Sequence, residues 1–348
     1  MSSLQTSVLS PDVASLRRPA IARLAWLLAG VGMLALLIIA SVAFGARPVS
    51  LAEIVSALGG DVSGVGEAAV VARVPRTVLA ILVGSALAVA GASMQAVTRN
   101  PLADPGIFGI SAGASLAVVC GIAFVGLSNP YAYIGFAILG AALAGVLVYT
   151  IGSLGRGGAT PLKLALAGAA CTAAFTSLIS AVLLPRIDIM ETFRFWQIGG
   201  VGGATWDRIG VVIPFLVLGL LVCLATARGM NSLALGDEVA AGLGERVFRT
   251  RLVAAAGAVI LAGAATAIAG PIAFVGLVVP HLCRLVIGAD HRWLLPLSAL
   301  VGAGLLLAAD VIGRVVSRPE EIEVGIITAL IGAPVFIWIV RRQKGRAL

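Results

Sequence analysis

The sequence predicts an all-α, polytopic membrane protein of about ten transmembrane helices with inverted-repeat halves, and three observations predict it. Of 348 residues, 60% are hydrophobic and only 11% charged, with a mean hydropathy of +1.09, whereas soluble domains run near a quarter charged and about half apolar. Disorder is excluded more firmly, because it needs low hydrophobicity and high charge. Forty-three glycines against 5% aromatic residues fit helices packed backbone to backbone through small side chains. A weak internal echo supplies the third observation. Ala90-Gly91-Ala92, then a Pro-Gly break and Phe108-Gly109, is matched by Ala262-Gly263-Ala264, then Gly270-Pro271 and Phe274-Val275-Gly276. If each span and its connection take about 30 residues, the length allows roughly ten helices.

The first apolar run follows Arg17, Arg18 and Arg23 and extends from Leu24 to about Ala46. A cleavable signal has an apolar core of roughly 7–15 residues. This run is longer, and it reads as a retained first helix leaving the cytoplasm. Later runs lie near 77–97, 106–127, 132–152, 163–184, 209–227, 252–268, 272–288, 293–312 and 322–340. Residues 1–348 therefore form one transmembrane domain with a cytoplasmic segment at 1–23 and both termini cytoplasmic. Charge tests this layout independently. Arg47, Arg73, Arg76, Arg186, Arg194, Arg208, Arg314 and Arg318 fall outside, and the other 16 of the 24 basic residues fall inside, as the positive-inside rule asks. The net charge of +8 is then a membrane-orientation signal and not a nucleic-acid one. In this layout the first copy of the echo starts its opening helix outside and the second starts inside, the mark of inverted-topology repeats whose broken helices flank a transport path.

Two connections are more than turns. Pro185 to Arg208 contains I-G-G-V-G-G-A-T-W, too polar to span, and is expected to hold a short re-entrant or surface helix. The central part of residues 228–251, on the cytoplasmic side, is expected to form a short amphipathic helix along the membrane surface.

Enzyme chemistry finds no constellation. The two histidines, His281 and His291, have no nearby pair of carboxylates, and a metal site needs several converging ligands, so none is assigned. Cys120, Cys171, Cys223 and Cys283 lie too far apart to suggest a disulfide or zinc framework. A phosphate-binding loop requires Gly-Lys-Ser/Thr, yet Lys163 follows Leu162 and Lys344 precedes Gly345. No cofactor of its own is expected, and energy for any transport would come from another subunit. Ion coupling usually needs ionisable groups within the membrane, and the expected helix interiors carry almost none.

Three features remain. Arg73-Val74-Pro75-Arg76 sits at the outer mouth of the second span, where Arg314 from the ninth span can join it. Such arginines are commonly interfacial anchors, but outside they oppose the charge bias and suit docking of an acidic partner. Asn100-Pro101-Leu102-Ala103-Asp104-Pro105-Gly106 breaks the helix, and backbone freed at membrane depth must line a cavity or be buried in protein, which suits a gate. Leu235-Gly236-Asp237-Glu238-Val239-Ala240-Ala241-Gly242-Leu243-Gly244 is a compact helix between glycines that another protein can approach closely.

Together these residues resemble the FecCD family of ABC-transporter permeases, which import iron-siderophores, haem and cobalamin. The likeness runs from about Arg47 to Arg341. It rests on R-V-P-R at 73–76, the stretch A-G-A-S-M-Q through I-S-A-G-A at 90–114, F-W-Q-I-G-G at 195–200, L-G-D-E-V-A-A-G-L-G at 235–244, G-P-I-A-F-V-G-L-V-V-P-H at 270–281 and G-A-P-V-F-I-W at 332–338. The resemblance implies a fold similar to the cobalamin importer permease. It implies a non-enzymatic subunit of the bacterial inner membrane, paired with a second permease that is an identical copy or a paralogue. It also implies two cytoplasmic ATPases that bind ATP-Mg, and an extracytoplasmic substrate-binding protein. A ferric siderophore is the expected cargo, with haem or cobalamin as alternatives, and an ion-driven secondary transporter is the alternative from another class. By similarity, Arg73, Arg76 and Arg314 meet acidic residues of the binding protein. Asn100, Leu102 and Thr160 lie near the cytoplasmic gate, where Leu162-Lys163 departs from the family pattern. Leu235, Gly236, Asp237, Glu238, Ala240, Ala241, Leu243 and Gly244 sit in a groove of the ATPase.

Overall fold

The structure is a computed structural model and describes residues 19–344 apart from 61–62, 107, 128, 155–160, 187–189, 191–192 and 194–196. Among the described residues there are seven helices long and apolar enough to cross a membrane, and three shorter apolar ones, which matches the ten expected runs. The chain starts with α1 (Ala20–Ala43), whose apolar window is only 6% buried, so this helix lies at the edge of the bundle. A short helix, α2 (Leu51–Leu58), follows. Ser50 Oγ accepts from the Glu53 N–H while the Glu53 carboxylate accepts from the Ser50 N–H, a capping box that closes two orphan donors at once.

The central helix is α3 (Val65–Thr98), 34 residues long, with 78% of its apolar window buried. It begins twelve residues before the apolar run at 77–97, so Arg73-Val74-Pro75-Arg76 lies inside a helix and not at its mouth. From there the chain continues through α4 (Ile110–Cys120), which closes on a π-turn at Gly121–Val125, then α5 (Pro130–Ser153) and α6 (Pro161–Leu183). The short helix expected within 185–208 falls largely outside the described residues. Next come α7 (Trp206–Ala225), α8 (Ala227–Leu233), α9 (Asp237–Gly242), α10 (Val247–Ala269), α11 (Val275–Ile287), α12 (His291–Val316) and α13 (Val324–Lys344). The short helix expected in the central part of 228–251 falls at α9; α8 precedes it, and Gly236 turns the chain between them at φ +104°.

The spans are arranged as two antiparallel sets. α3 packs on α10 at the centre; α4 lies against α10, and α11 against α3. α5 joins α4 and α10 in one half, as α12 joins α11 and α3 in the other. α6 and α13 occupy the matching flanks. The sequence echo marks this exchange: α4 and α11 each start from a left-handed residue, Gly109 at φ +69° and Phe274 at φ +69°. They run in opposite directions. At 13 residues α11 is about 20 Å long, short of the roughly 30 Å hydrocarbon layer. Its lead-in at 270–274 is non-helical backbone, tolerated at depth because protein covers it; Gly270 and Ile272 are buried.

Close helix crossings use glycine. An added Cβ at Gly91 would lie 1.9 Å from the Gly276 carbonyl oxygen, and one at Gly84 would lie 2.3 Å from that of Gly302. Without side chains, α3 meets α11 and α12 backbone to backbone, and buried Leu87, Leu306 and Leu307 close around the crossings.

Candidate functional site

Each end of the bundle gathers polar groups. One end holds Arg73, Arg76 and Arg314; the other holds the turn after α3 and the segment from α8 to the start of α10.

At the arginine end, the three guanidinium groups turn inward. Arg73 Nη1 donates to the carbonyls of Val42 at 2.8 Å and Ala43 at 3.1 Å, and Nη2 donates to that of Arg47. Arg314 is 1% exposed and donates to the Ser41 and Phe44 carbonyls at 3.1 and 3.2 Å and to Ser41 Oγ at 2.8 Å. Both therefore hold the frayed end of α1, whose last carbonyls lack partners within the helix. Arg76 bridges elements instead: Nε and Nη2 reach Asp310 Oδ1 at 2.9 and 2.7 Å, and Nη1 reaches Glu321 at 2.5 Å. Asp310, 1% exposed, also faces Arg314 Nη2 at 2.8 Å. One carboxylate thus neutralises two arginines from different helices, as a buried charge requires. Of the three arginines expected to dock a partner, Arg73 and Arg314 present no side chain at the surface, and the Arg76 side chain is 11% exposed. Among the described residues, the basic groups exposed at this end are Arg47, Arg208 and Arg318.

Beside them, Glu323 packs against the 199–202 backbone, where a Cβ on Gly200 would meet its Oε2 at 1.8 Å. Burial first, then the neighbouring charges of Asp310 and Glu321 against the opposing pull of Arg76, leaves its carboxyl above the ordinary value.

At the other end, α3 stops on a Schellman turn. The Arg99 N–H bonds the Ala96 carbonyl at 3.2 Å and the Asn100 N–H bonds that of Gln95 at 3.1 Å, with Arg99 left-handed at φ +50°. Two side-chain turns continue the break. Asn100 Oδ1 accepts from the Leu102 N–H at 3.0 Å, and Asp104 Oδ1 accepts from the Gly106 N–H at 2.8 Å. The expected gate residues Asn100 and Leu102 are both half-buried in this turn. Thr160 lies outside the described residues. Gln95 fastens the turn to α11: its Nε2 donates to the Gly276 carbonyl at 3.1 Å, and its Oε1 accepts from Arg284.

The 235–244 segment projects at this same end. Ala240 is buried and anchors α9, whereas Leu235, Val239 and Leu243 are 60%, 51% and 66% exposed. Val239 lies on α9, and Leu235 and Leu243 flank it, before the Gly236 turn and at the C-cap. Glu238, Ala241 and Gly244 are exposed around them, and Gly236 is half-buried. Asp237 Oδ1 pairs with Arg251 Nη2 at 2.9 Å and with Arg99 Nη2 at 3.7 Å, which brings the segment to the residue before Asn100.

Sequence reasoning missed a second junction here. Asp290 caps α12, accepting from the Arg292 N–H at 3.1 Å, from Arg292 Nη2 at 2.9 Å, from Asn231 Nδ2 at 2.7 Å and from Arg23 Nη1 at 3.4 Å. Those bonds, that of the Arg292 side chain foremost, hold its carboxyl well below the usual carboxylate range. They tie α1, α8 and α12 together. The signal was available as Asp-His-Arg, an N-cap residue opening an apolar run.

Among the described residues no group of three His, Cys, Asp or Glu side chains converges as metal ligands. What the chain does offer is two polar ends joined by close-packed helices, and an open apolar groove of about 610 Å³ along α13, lined by Ile198, Gly325, Ala329, Ala333 and Pro334.

Comparison with known proteins follows this geometry. The profile described as the FecCD transport family matches residues 33–342. The ferric enterobactin transport system permease protein FepD of Escherichia coli (strain K12) is 44% identical over 317 residues, covering 90% of this chain and 94% of that one. The Fe(3+)-citrate import system permease protein YfmD of Bacillus subtilis (strain 168) is 45% identical over 276 residues, covering 79% and 81%. Among solved structures, an inward-facing metal-chelate type ABC transporter superposes with a TM-score of 0.77 at 28% identity, covering 92% of this chain and 99% of the other.

Proposed function

The chain belongs to the FecCD transport family, and from that premise we propose that it carries a ferric-siderophore-type chelate inward, driven by ATP that a separate subunit hydrolyses. It is a multi-pass membrane permease of an ABC importer. The finer reading adds two cytoplasmic ATPases, a second permease and an extracytoplasmic binding protein.

The uncovered apolar face of α9 carries the proposal. Val239 on this short helix, with Leu235 and Leu243 flanking it, is exposed at a bundle end, and an apolar surface left in water marks a site for another protein. An amphipathic helix of this kind seats in a groove of its partner. The surplus of basic residues at this end supports a cytoplasmic location, hence an ATPase as the occupant. The turn at Asn100 and Leu102 then lies on the cytoplasmic side of the path.

For the path itself, α6 and α13 are the candidates. The exposed face of α6 carries Thr176, Ser177 and Ser180, whose hydroxyls bond back to the carbonyls of Thr172, Ala173 and Thr176 at 2.8, 2.9 and 3.0 Å. Hydroxyls on an outward face suit a second subunit or a wet path better than lipid. The apolar groove along α13 suits a large cargo that slides past without tight ligands.

Docking of the binding protein involves the arginine end. Arg76, whose partner Glu321 is exposed, is the member of the original trio that an acidic side chain can reach. Arg47, Arg208 and Arg318 add to the positive field around it, and Arg73 and Arg314 support it by fixing α1. Exposed ion pairs contribute about 0–1 kcal/mol each, so the group acts mainly on encounter rate and orientation. Changing Arg47 and Arg318 together to Glu should slow binding-protein association, with the deficit shrinking as salt rises; unchanged association at low salt would remove the assignment.

Reconstitution tests the whole reading. The chain, with an ATPase and a second permease, is placed in vesicles and offered binding protein loaded with ferric enterobactin, ferric citrate, a ferric hydroxamate or haemin. ATP-dependent accumulation of a ferric chelate is expected. Accumulation driven by an ion gradient without the ATPase would overturn it.

A further inference from the structure

The left-handed arginine that ends α3 has a use beyond capping. A Schellman turn places its C′ residue in the left-handed region, where glycine is the default because a Cβ is strained there. Here that residue is Arg99, at φ +50°. Backbone strain of this kind persists where surrounding structure holds it, and it points to the side chain as the reason. The Arg99 side chain reaches the 235–244 segment: its Nη2 lies 3.7 Å from Asp237 Oδ1, and a Cβ on Gly236 would stand 3.8 Å from its Nη1. Among the described elements, α9 packs chiefly on α8 and α10. The Arg99–Asp237 side-chain pair links it to the end of α3. Asp237 is the first residue of α9 and so moves with it, and it also pairs with Arg251 of α10 at 2.9 Å. One residue after Arg99 stands Asn100, whose side chain forms the turn that carries Leu102.

We propose that Arg99 is a positioning residue that couples motion of the 235–244 segment, through Asp237, to the turn at Asn100–Leu102. The proposal rests on the reading of that segment as the ATPase contact. A displacement of α9 pulls the guanidinium, and the guanidinium is attached at the hinge residue of the turn.

The test uses the complete permease–ATPase complex in vesicles, with Leu102→Cys as reporter and a membrane-impermeant maleimide as probe. Labelling is read above that of the parent chain with its native cysteines, with and without ATP-Mg. In the Leu102→Cys complex, nucleotide should change the labelling rate severalfold. Arg99→Gly should abolish that change while ATP hydrolysis continues, although glycine relieves the strained backbone and leaves stability equal or higher. Asp237→Asn, which removes the charge that Arg99 faces, should abolish it as well. A merely structural capping role predicts that Arg99→Gly is harmless. Retention of the nucleotide effect in Arg99→Gly or in Asp237→Asn overturns the proposal and leaves the transporter reading intact. An ATPase that fails to assemble with the parent chain, or a nucleotide effect missing from the Leu102→Cys complex itself, overturns the underlying reading instead.

Discussion

Asp310 is the residue on which two helices depend for charge balance. It accepts from Arg76 of α3 and faces Arg314 one turn along α12, with 1% of its surface exposed. Removing one partner of a buried ion pair costs about 3–5 kcal/mol, because the charge left behind has no water. Asp310→Asn should therefore lower the thermal midpoint of the detergent-solubilised protein sharply. Glu321→Gln, which removes an exposed partner of the same Arg76, should cost about 1 kcal/mol or less. Equal losses would mean that Asp310 is not the keystone of the cluster. Glu323 behaves oppositely. Its carboxyl is raised above the ordinary 4.5 by burial, so its neutral form suits the fold. The stability it contributes is complete below the ordinary value and is lost as pH rises through the raised one. Glu323→Gln should thus be more stable than the parent at neutral pH, and the two should converge in acid; a gap that widens in acid would reverse the sign. Little of this could be read from the chain. Arg73, Arg76 and Arg314 stood out as charges on the wrong side of the membrane, but hydropathy places a charge without giving its side-chain direction. The separation of 234 positions between Arg76 and Asp310 hides the pairing.

Elements were more legible than contacts, for a physical reason. A run of apolar residues reports where a segment partitions, so each of the ten runs corresponds to an apolar helix. Helix ends depend on caps and backbone sign. The run at 272–288 is apolar from its first residue, yet α11 begins at Val275 because Phe274 is left-handed. The start of α3 was misjudged because Glu67, Arg73 and Arg76 lower the hydropathy of a stretch that is helical and largely covered. α2 was overlooked although Ser50 and Glu53 carry the capping-box spacing; an eight-residue helix leaves no hydropathy signal. The coupling segment was visible as a pattern, and its exposed strip yields a prediction. Val239→Glu together with Leu243→Arg changes side chains that are half or more exposed, and surface substitutions usually shift stability by about 0.5 kcal/mol or less. The variant should therefore unfold at the parent temperature but lose co-purification of its ATPase. Normal recovery of the ATPase would place the interface elsewhere.

For the whole molecule, the sequence echo and the packing agree in outline and differ in detail, and that difference can be measured. Gly91 and Gly263 occupy matching places in Ala-Gly-Ala on α3 and α10, the two helices that meet at the centre of the inverted halves. If the halves were strictly equivalent, alanine at either position would cost the same. The surroundings are unequal. A Cβ on Gly91 would sit 1.9 Å from the Gly276 carbonyl oxygen and 2.4 Å from the Gly276 Cα, both rigid backbone at the start of a short helix. A Cβ on Gly263 would meet the Ile138 Cα at 3.0 Å and its flexible side chain at 3.2 Å. The first needs α3 and α11 to separate, which would also strain the Gln95 bonds to Gly276 and Arg284; the second needs a shift of a few tenths of an ångström. Overpacking a close-packed interior typically costs about 1–3 kcal/mol and occasionally more. Gly263→Ala should fall at the low end of that range and remain well expressed. Gly91→Ala should exceed it, with poor recovery of folded protein from the membrane. Thermal midpoints in detergent decide the matter: comparable losses would show that the halves are equivalent at their centre, and a larger loss at Gly91 would show that the 276 crossing carries a constraint the other half lacks. That constraint lies between Gly91 and the turn at Asn100, so the half holding it should be the stiffer one, the half in which motion at α9 is passed on with the least loss.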